Sequence, residues 1–172
     1  MKKIFFAFML LLASVVAVNA QSLTGKVWFT NSSIDQNESS FVLFFEDDGT
    51  CVVAVASDQV MNEGGMKMTI SVTAKVNGTY TLNGKDLKMK LDNENVDFTV
   101  DYDIEGVDAS TKKMMDSMIK PELEKQKPML KNEVLKSIPD MGNLTVVTLS
   151  NDELVLANED GEELTFNPVL DE

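Results

Sequence analysis

Histidine and arginine are both missing from this chain of 172 residues, and Cys51 is its single cysteine. Without histidine there is no Ser-His-Asp triad, no Cys-His pair, no imidazole acid-base step and no His-ligated zinc. Without arginine there is no bidentate clamp for a phosphate or carboxylate. A lone cysteine builds neither a thiolate zinc cluster nor an intramolecular disulfide, and no Gly-rich phosphate loop is present. What remains is a carboxylate pair of the kind that hydrolyses glycosides. Among 28 acidic residues some pair always stands close, so that signal has no specificity, and the chain is expected not to be an enzyme. Cys51 opens the apolar run CVVAVA and is expected to be a buried, inert thiol.

One acidic spacing has a ligand-like form. Asp101, Asp103 and Glu105, followed by Gly106, match the first half of a calcium-binding loop, with oxygens at alternate positions and glycine at the sixth. The twelfth position, where a bidentate glutamate is required, is Lys112. The same three acids continue an outward alternation begun at Asp97. The segment therefore reads as a solvated strand face ending in a turn, and no metal or cofactor is expected.

The elements that carry these residues follow from periodicity. Met66, Met68, Ile70, Val72, Ala74 and Val76 alternate with polar residues, as in a half-buried strand. The parity runs on through Gly78 to Tyr80 and Leu82, predicting one long strand bent at the glycine. Asn83-Gly84 then supplies a hairpin turn. Leu87, Met89 and Leu91 alternate with charged residues, and so do Val96, Phe98, Val100, Tyr102 and Ile104. Leu23–Thr30, Ser40–Phe45 and Cys51–Ala56 read as earlier strands, the last two joined through Asp48-Gly49. Leu144–Leu149, Glu153–Ala157 and Glu163–Phe166 form a terminal meander. About nine or ten strand segments with short turns predict an antiparallel barrel, with a β-sandwich as the alternative. Residues 31–39, polar except for Ile34, are the segment expected to be disordered.

Residues 108–140 break the pattern. Met114, Met115, Met118, Ile119, Leu123, Leu130, Val134, Leu135 and Ile138 recur at helical spacing. Pro121 and Pro128 predict two or three short helices rather than one. About 33 residues are too few to bury a core of their own, so the insertion is expected to cover one end of the barrel, with Met114, Met115 and Met118 giving its contact surface.

The chain opens MKKIFFAFMLLLASVVAVNA, with a basic start, an apolar run and a small-residue site ending at Ala20. This is expected to be a secretory signal peptide, cleaved to leave a periplasmic or extracellular protein beginning at Gln21. Residues 21–172 are then one domain, and no later stretch is apolar for long enough to insert in a membrane. Without the two leader lysines, 13 basic residues face 28 acidic ones, a net charge of −15. Nucleic acid and anionic lipid would be repelled.

The stretches FVLFFEDDGT, NGTYTLNGKDLKMKL and LTVVTLSNDELVLANEDGEELTF resemble the small secreted lipocalin-like (calycin) proteins of bacteria. The shared features are a DGT hairpin, a GTY strand-turn-strand unit and a closing meander, and they lie outside residues 106–142. The resemblance implies a meander barrel whose apolar interior admits a hydrophobic ligand. Together the two lines of reasoning predict a mainly β, lipocalin-like barrel with a helical insertion before its last strands. Its function is expected to be binding a small apolar or amphipathic molecule. The alternative is a protein-interaction or inhibitor module with a solid core. The residues expected to line the interior are Met68, Ile70, Val72, Tyr80, Leu82, Leu87, Met89, Leu91, Phe98, Val100 and Tyr102, joined by Met115 and Met118 from the insertion.

Overall fold

The computed structural model describes residues 22–34 and 37–169, so the signal-peptide expectation lies outside the described residues. Alternating side chains and short turns give eight strands. They are β1 (Val27–Ile34), β2 (Asn37–Phe45), β3 (Thr50–Glu63), β4 (Met66–Asn83) and β5 (Asp86–Glu105), then β6 (Asn143–Leu149), β7 (Leu154–Ala157) and β8 (Glu163–Pro168). Helix α1 (Ala109–Ser137) lies between β5 and β6. Each strand pairs antiparallel with the next, and β8 returns to β1 through Trp28 opposite Pro168 and Phe29 opposite Asn167. The result is one ringed, barrel-like sheet. The sandwich alternative falls, because the strands do not divide into two sheets.

The ring is uneven. β3, β4 and β5 are 14, 18 and 20 residues long, whereas β6, β7 and β8 have seven, four and six. β5 pairs with β6 only from Asp86 to Lys88, and Met89 N–H adds a bond to the Gly142 carbonyl (3.1 Å). A closed lower barrel therefore continues upward as an open sheet of the long strands. The core sits in the lower part, where Trp28, Phe41, Leu43, Phe45, Val53, Leu87, Leu154, Leu156 and Phe166 meet. Trp28 donates its indole N–H to the Leu23 carbonyl (2.9 Å), and Lys26 lies over its ring, 5.3 Å from the centroid. The N-terminal strap is thereby tied to β1, with Leu23 buried in the core. On β2 and β3 the outward Val42, Phe44 and Ala54 are buried as well.

Three expectations are corrected. The segments at 87–91 and 96–104 are one strand, because extra residues at Asp92–Asn95 form a bulge where the β4–β5 register shifts at Val76/Gly78. Asp92 accepts the backbone N–H groups of Glu94 and Asn95 (both 3.3 Å), holding the bulge closed. A Cβ at Gly78 would sit 2.5 Å from the Lys90 carbonyl, so only glycine admits this approach. Next, Asn31–Ile34 and Asn37–Ser39 are strand rather than disordered, paired as Asn31 with Ser40 through Ile34 with Asn37.

The third correction is that α1 is a single helix of 29 residues with both prolines inside it. A helix of that length spans about 44 Å at 1.5 Å per residue. The chain returns along it from Glu105, at the far end of β5, to Gly142 beside Met89. No residue of α1 is fully buried. Carbonyls left without a donor by Pro121 and Pro128 can therefore reach water, which lowers the penalty of interior proline. Asp108 caps the helix, accepting from Ser110 N–H (2.9 Å) and Thr111 N–H (3.1 Å). Those donors hold its carboxyl below the usual range, the Thr111 N–H most of all. α1 packs on β4 and β5, and Val134 near its end and Ile138 just beyond it pack against the barrel core.

Candidate functional site

Cross-strand pairing sorts the predicted lining residues. Residues directly opposite each other share a face, so Met68 with Ile104, Ile70 with Tyr102, Val72 with Val100 and Ala74 with Phe98 form one inner surface. Below the bulge the same surface continues through Tyr80 opposite Met89 and Leu82 opposite Leu87. The structure brings the strand candidates onto this face in two different environments.

In the lower barrel Leu87 and Met89 are buried, and Tyr80 and Leu91 pack partly buried against them. Tyr80 stands edge-on to Phe45 with ring centroids 4.9 Å apart, and its hydroxyl donates to the Glu46 carbonyl (2.9 Å). The large side chains of Trp28, Phe41, Phe45 and Phe166 fill this interior. Two depressions open to solvent: about 320 Å³ beside Leu23, Asp47, Tyr80 and Leu82, and about 310 Å³ beside Leu87, Lys88, Leu144 and Asn158. Leu82 is 37% exposed on the rim.

In the upper sheet Met68, Ile70, Phe98, Val100 and Tyr102 are half-buried, while Val72 and Ile104 are buried. Helix α1 lies over this surface. Its half-buried positions, among them Met115, Ile119, Leu123, Leu130 and Val134, recur at helical spacing and mark the side turned toward the sheet. Val134 and Ile138 reach the barrel core. Met118 is 69% exposed and Met114 is 60% exposed, so both lie on the side of α1 away from the sheet. The expectation that Met114 and Met118 face the barrel fails for a geometric reason. Met115 shares the inward flank with half-buried Ile119, whereas Met118, about 60° round the helix from Met115 at roughly 100° per residue, shares the exposed flank with Met114.

Polar contacts fasten the first turns of α1 to β5. The Tyr102 hydroxyl donates to the Asp116 carboxylate (2.6 Å), and the Lys112 ammonium donates to Asp103 (3.0 Å) and to the Ile104 carbonyl (3.1 Å). Partial burial, and then the bond to Asp116, push the Tyr102 hydroxyl up to about 12. Lys112, the residue that spoils the calcium-loop spacing, thus places its own cation on Asp103. Among the described residues no group of three or more His, Cys, Asp or Glu side chains could hold a metal ion. Cys51 is buried in the core, and burial pushes its thiol up to about 11.

No family model matches the chain, and no curated protein is detectably similar to it. Sequence reasoning missed the lower–upper division of the inner face. Its one visible sign was the change of charge pattern between Leu91 and Val96, where four polar residues interrupt the alternation.

Proposed function

We propose that this is an exported, non-enzymatic binding protein of lipocalin-like build. Its apolar site is the layer between the upper β4–β5 sheet and α1, not the lumen of the lower barrel. The supporting observation is that Met68, Ile70, Phe98, Val100 and Met115 remain half-buried although a helix lies over them. An apolar layer that still keeps part of its surface in water gains free energy when a further apolar body enters it. Flexible methionines at its edge suit occupants of several shapes. The intact leader pattern supports export, and the missing histidine and arginine support a role without catalysis.

The alternative, a protein-interaction module, draws on the filled lower barrel. Native mass spectrometry of the protein purified from its own host separates the two. A co-purifying apolar or amphipathic molecule, lost on Ile70→Lys or Val100→Lys, supports the layer as a ligand site. Bare protein from the host, together with failure to take up an environment-sensitive apolar dye, would leave the interaction module.

A further inference from the structure

The upper part of β5 is an open sheet edge, and the ladder shows which atoms it presents. Below the bulge, Met89 turns its N–H toward Gly142, on the β6 side. The bulge at Asp92–Asn95 reverses the parity. Tyr80 N–H bonds to the Gly49 carbonyl (2.8 Å), so even-numbered residues of β4 face β3. The odd-numbered ones face β5, where they meet Asp97, Thr99, Asp101, Asp103 and Glu105. In an antiparallel ladder the N–H and C=O of one residue point to the same side. The N–H and C=O of Val96, Phe98, Val100 and Tyr102 therefore point away from β4. Ile104 agrees, since its carbonyl takes the Lys112 ammonium and its N–H the Asp103 carboxylate. Among the described residues no backbone group bonds the other four on that side. Helix α1 touches β4 as well as β5, as expected of a helix lying over the inner face, and its contact with the backbone of this edge is Lys112 at Ile104, beyond the stretch from Val96 to Tyr102.

An unpaired edge of this kind is a template for another strand. We propose that the β5 edge from Val96 to Tyr102 takes an extended peptide segment in which basic and apolar residues alternate. Side chains decide the occupant. On the outer face the edge carries Asp97 and Asp101, both exposed, with Asp103 already held by Lys112. On the inner face it offers half-buried Val96, Phe98 and Val100. An added strand places successive side chains on opposite faces. Lysine or arginine at alternate positions would stand across from the aspartates, and apolar residues between them would extend the inner surface. β4 already shows the arrangement from its own side, with Lys75 opposite Asp97 and Lys67 opposite Glu105. A second copy of this chain fits badly, because pairing two β5 edges antiparallel about Thr99 sets Asp97 against Asp101, and like charges directly opposite are destabilising. The proposal does not depend on the apolar-layer reading.

The test uses the purified full-length mature chain and two synthetic eight-residue peptides, one alternating Lys and Val, the other alternating Glu and Val. Fluorescence anisotropy reads binding, and hydrogen exchange followed by NMR reads the amides. Binding of the Lys/Val peptide is expected, with new protection at Phe98, Val100 and Tyr102 and little change at Thr99 and Asp101, which are already bonded to β4. Asp101→Lys should weaken it about tenfold. N-methylating alternate peptide nitrogens, which leaves the protein untouched, should abolish it. Val100→Pro should do the same from the protein side, since the N–H it removes faces away from β4. The proposal is overturned if neither peptide binds, if the Glu/Val peptide binds equally well, if the N-methylated peptide retains affinity, or if protection appears elsewhere. A salt-independent dimer formed by the chain alone, with protection at the same amides, would replace the basic peptide by a second copy and equally overturn it.

Discussion

The lower barrel and the upper sheet use the same alternation of apolar and polar residues, yet they end in different physical states. In the barrel, eight strands and the N-terminal strap surround the inward side chains, and Trp28, Phe45 and Phe166 reach full burial. Above the bulge only the long strands continue, one helix replaces three strands, and most inward residues stop at half burial. Periodicity thus determines which way a side chain points. How dry it becomes depends on how many elements close around it.

Replacing a core aromatic gives the largest expected effect. Phe166→Ala removes a fully buried ring and should destabilise the protein by about 3–5 kcal/mol. Met115→Ala, under the helix, should lose only about 1 kcal/mol, because a half-buried side chain has less apolar area to lose. Chemical denaturation of the two variants measures both. Equal losses would abolish the distinction and make the upper layer a second core.

Much of the fold, though not this division, could be read in the sequence. The alternation at Met66–Leu82 led to a single strand because Gly78 kept the parity, and the structure has one strand there. The helix was legible from its 3.6-residue apolar spacing. Its continuity was not, since two prolines argue locally for breaks, and only the exposure of the folded helix, none of whose residues is fully buried, lets the carbonyls they leave unpaired reach water. The open β5 edge was also hidden. Strand length is a local property, whereas the mismatch between a β5 of 20 residues and a β6 of seven is a property of the pair.

A change of pH probes the fastening between the two regions with a smaller effect. The folded Tyr102 hydroxyl titrates near 12, above the ordinary 10, owing to partial burial and then its bond to Asp116. A raised tyrosine pKa means that this contact stabilises the folded form fully below pH 10 and is lost as pH rises through about 12. Amides in the first turns of α1 should therefore exchange faster as pH climbs through that window, after correction for intrinsic exchange. Tyr102→Phe should reduce the pH-dependent component. Cys51 supplies the barrel's control. Its thiol, raised by burial to about 11, should resist alkylation at pH 8 in the native protein and react promptly once the chain is unfolded.

The smallest expected effect is the most discriminating for the orientation of α1. Met118 sits one turn from Met114, and the two are 69% and 60% exposed on the side away from the sheet. Met118→Ala should change stability by no more than about 0.5 kcal/mol, as at other surface positions without special contacts. It should also leave apolar dye uptake unchanged. Met115→Ala should alter both measurements, although the two residues are close neighbours in sequence and identical in chemistry. The pair therefore isolates facing from residue type. A loss at Met118 equal to that at Met115 would mean that the helix is rotated or mobile about its axis, so that both flanks share the sheet. The half-buried layer would then be a time average over two packings rather than a surface of fixed shape.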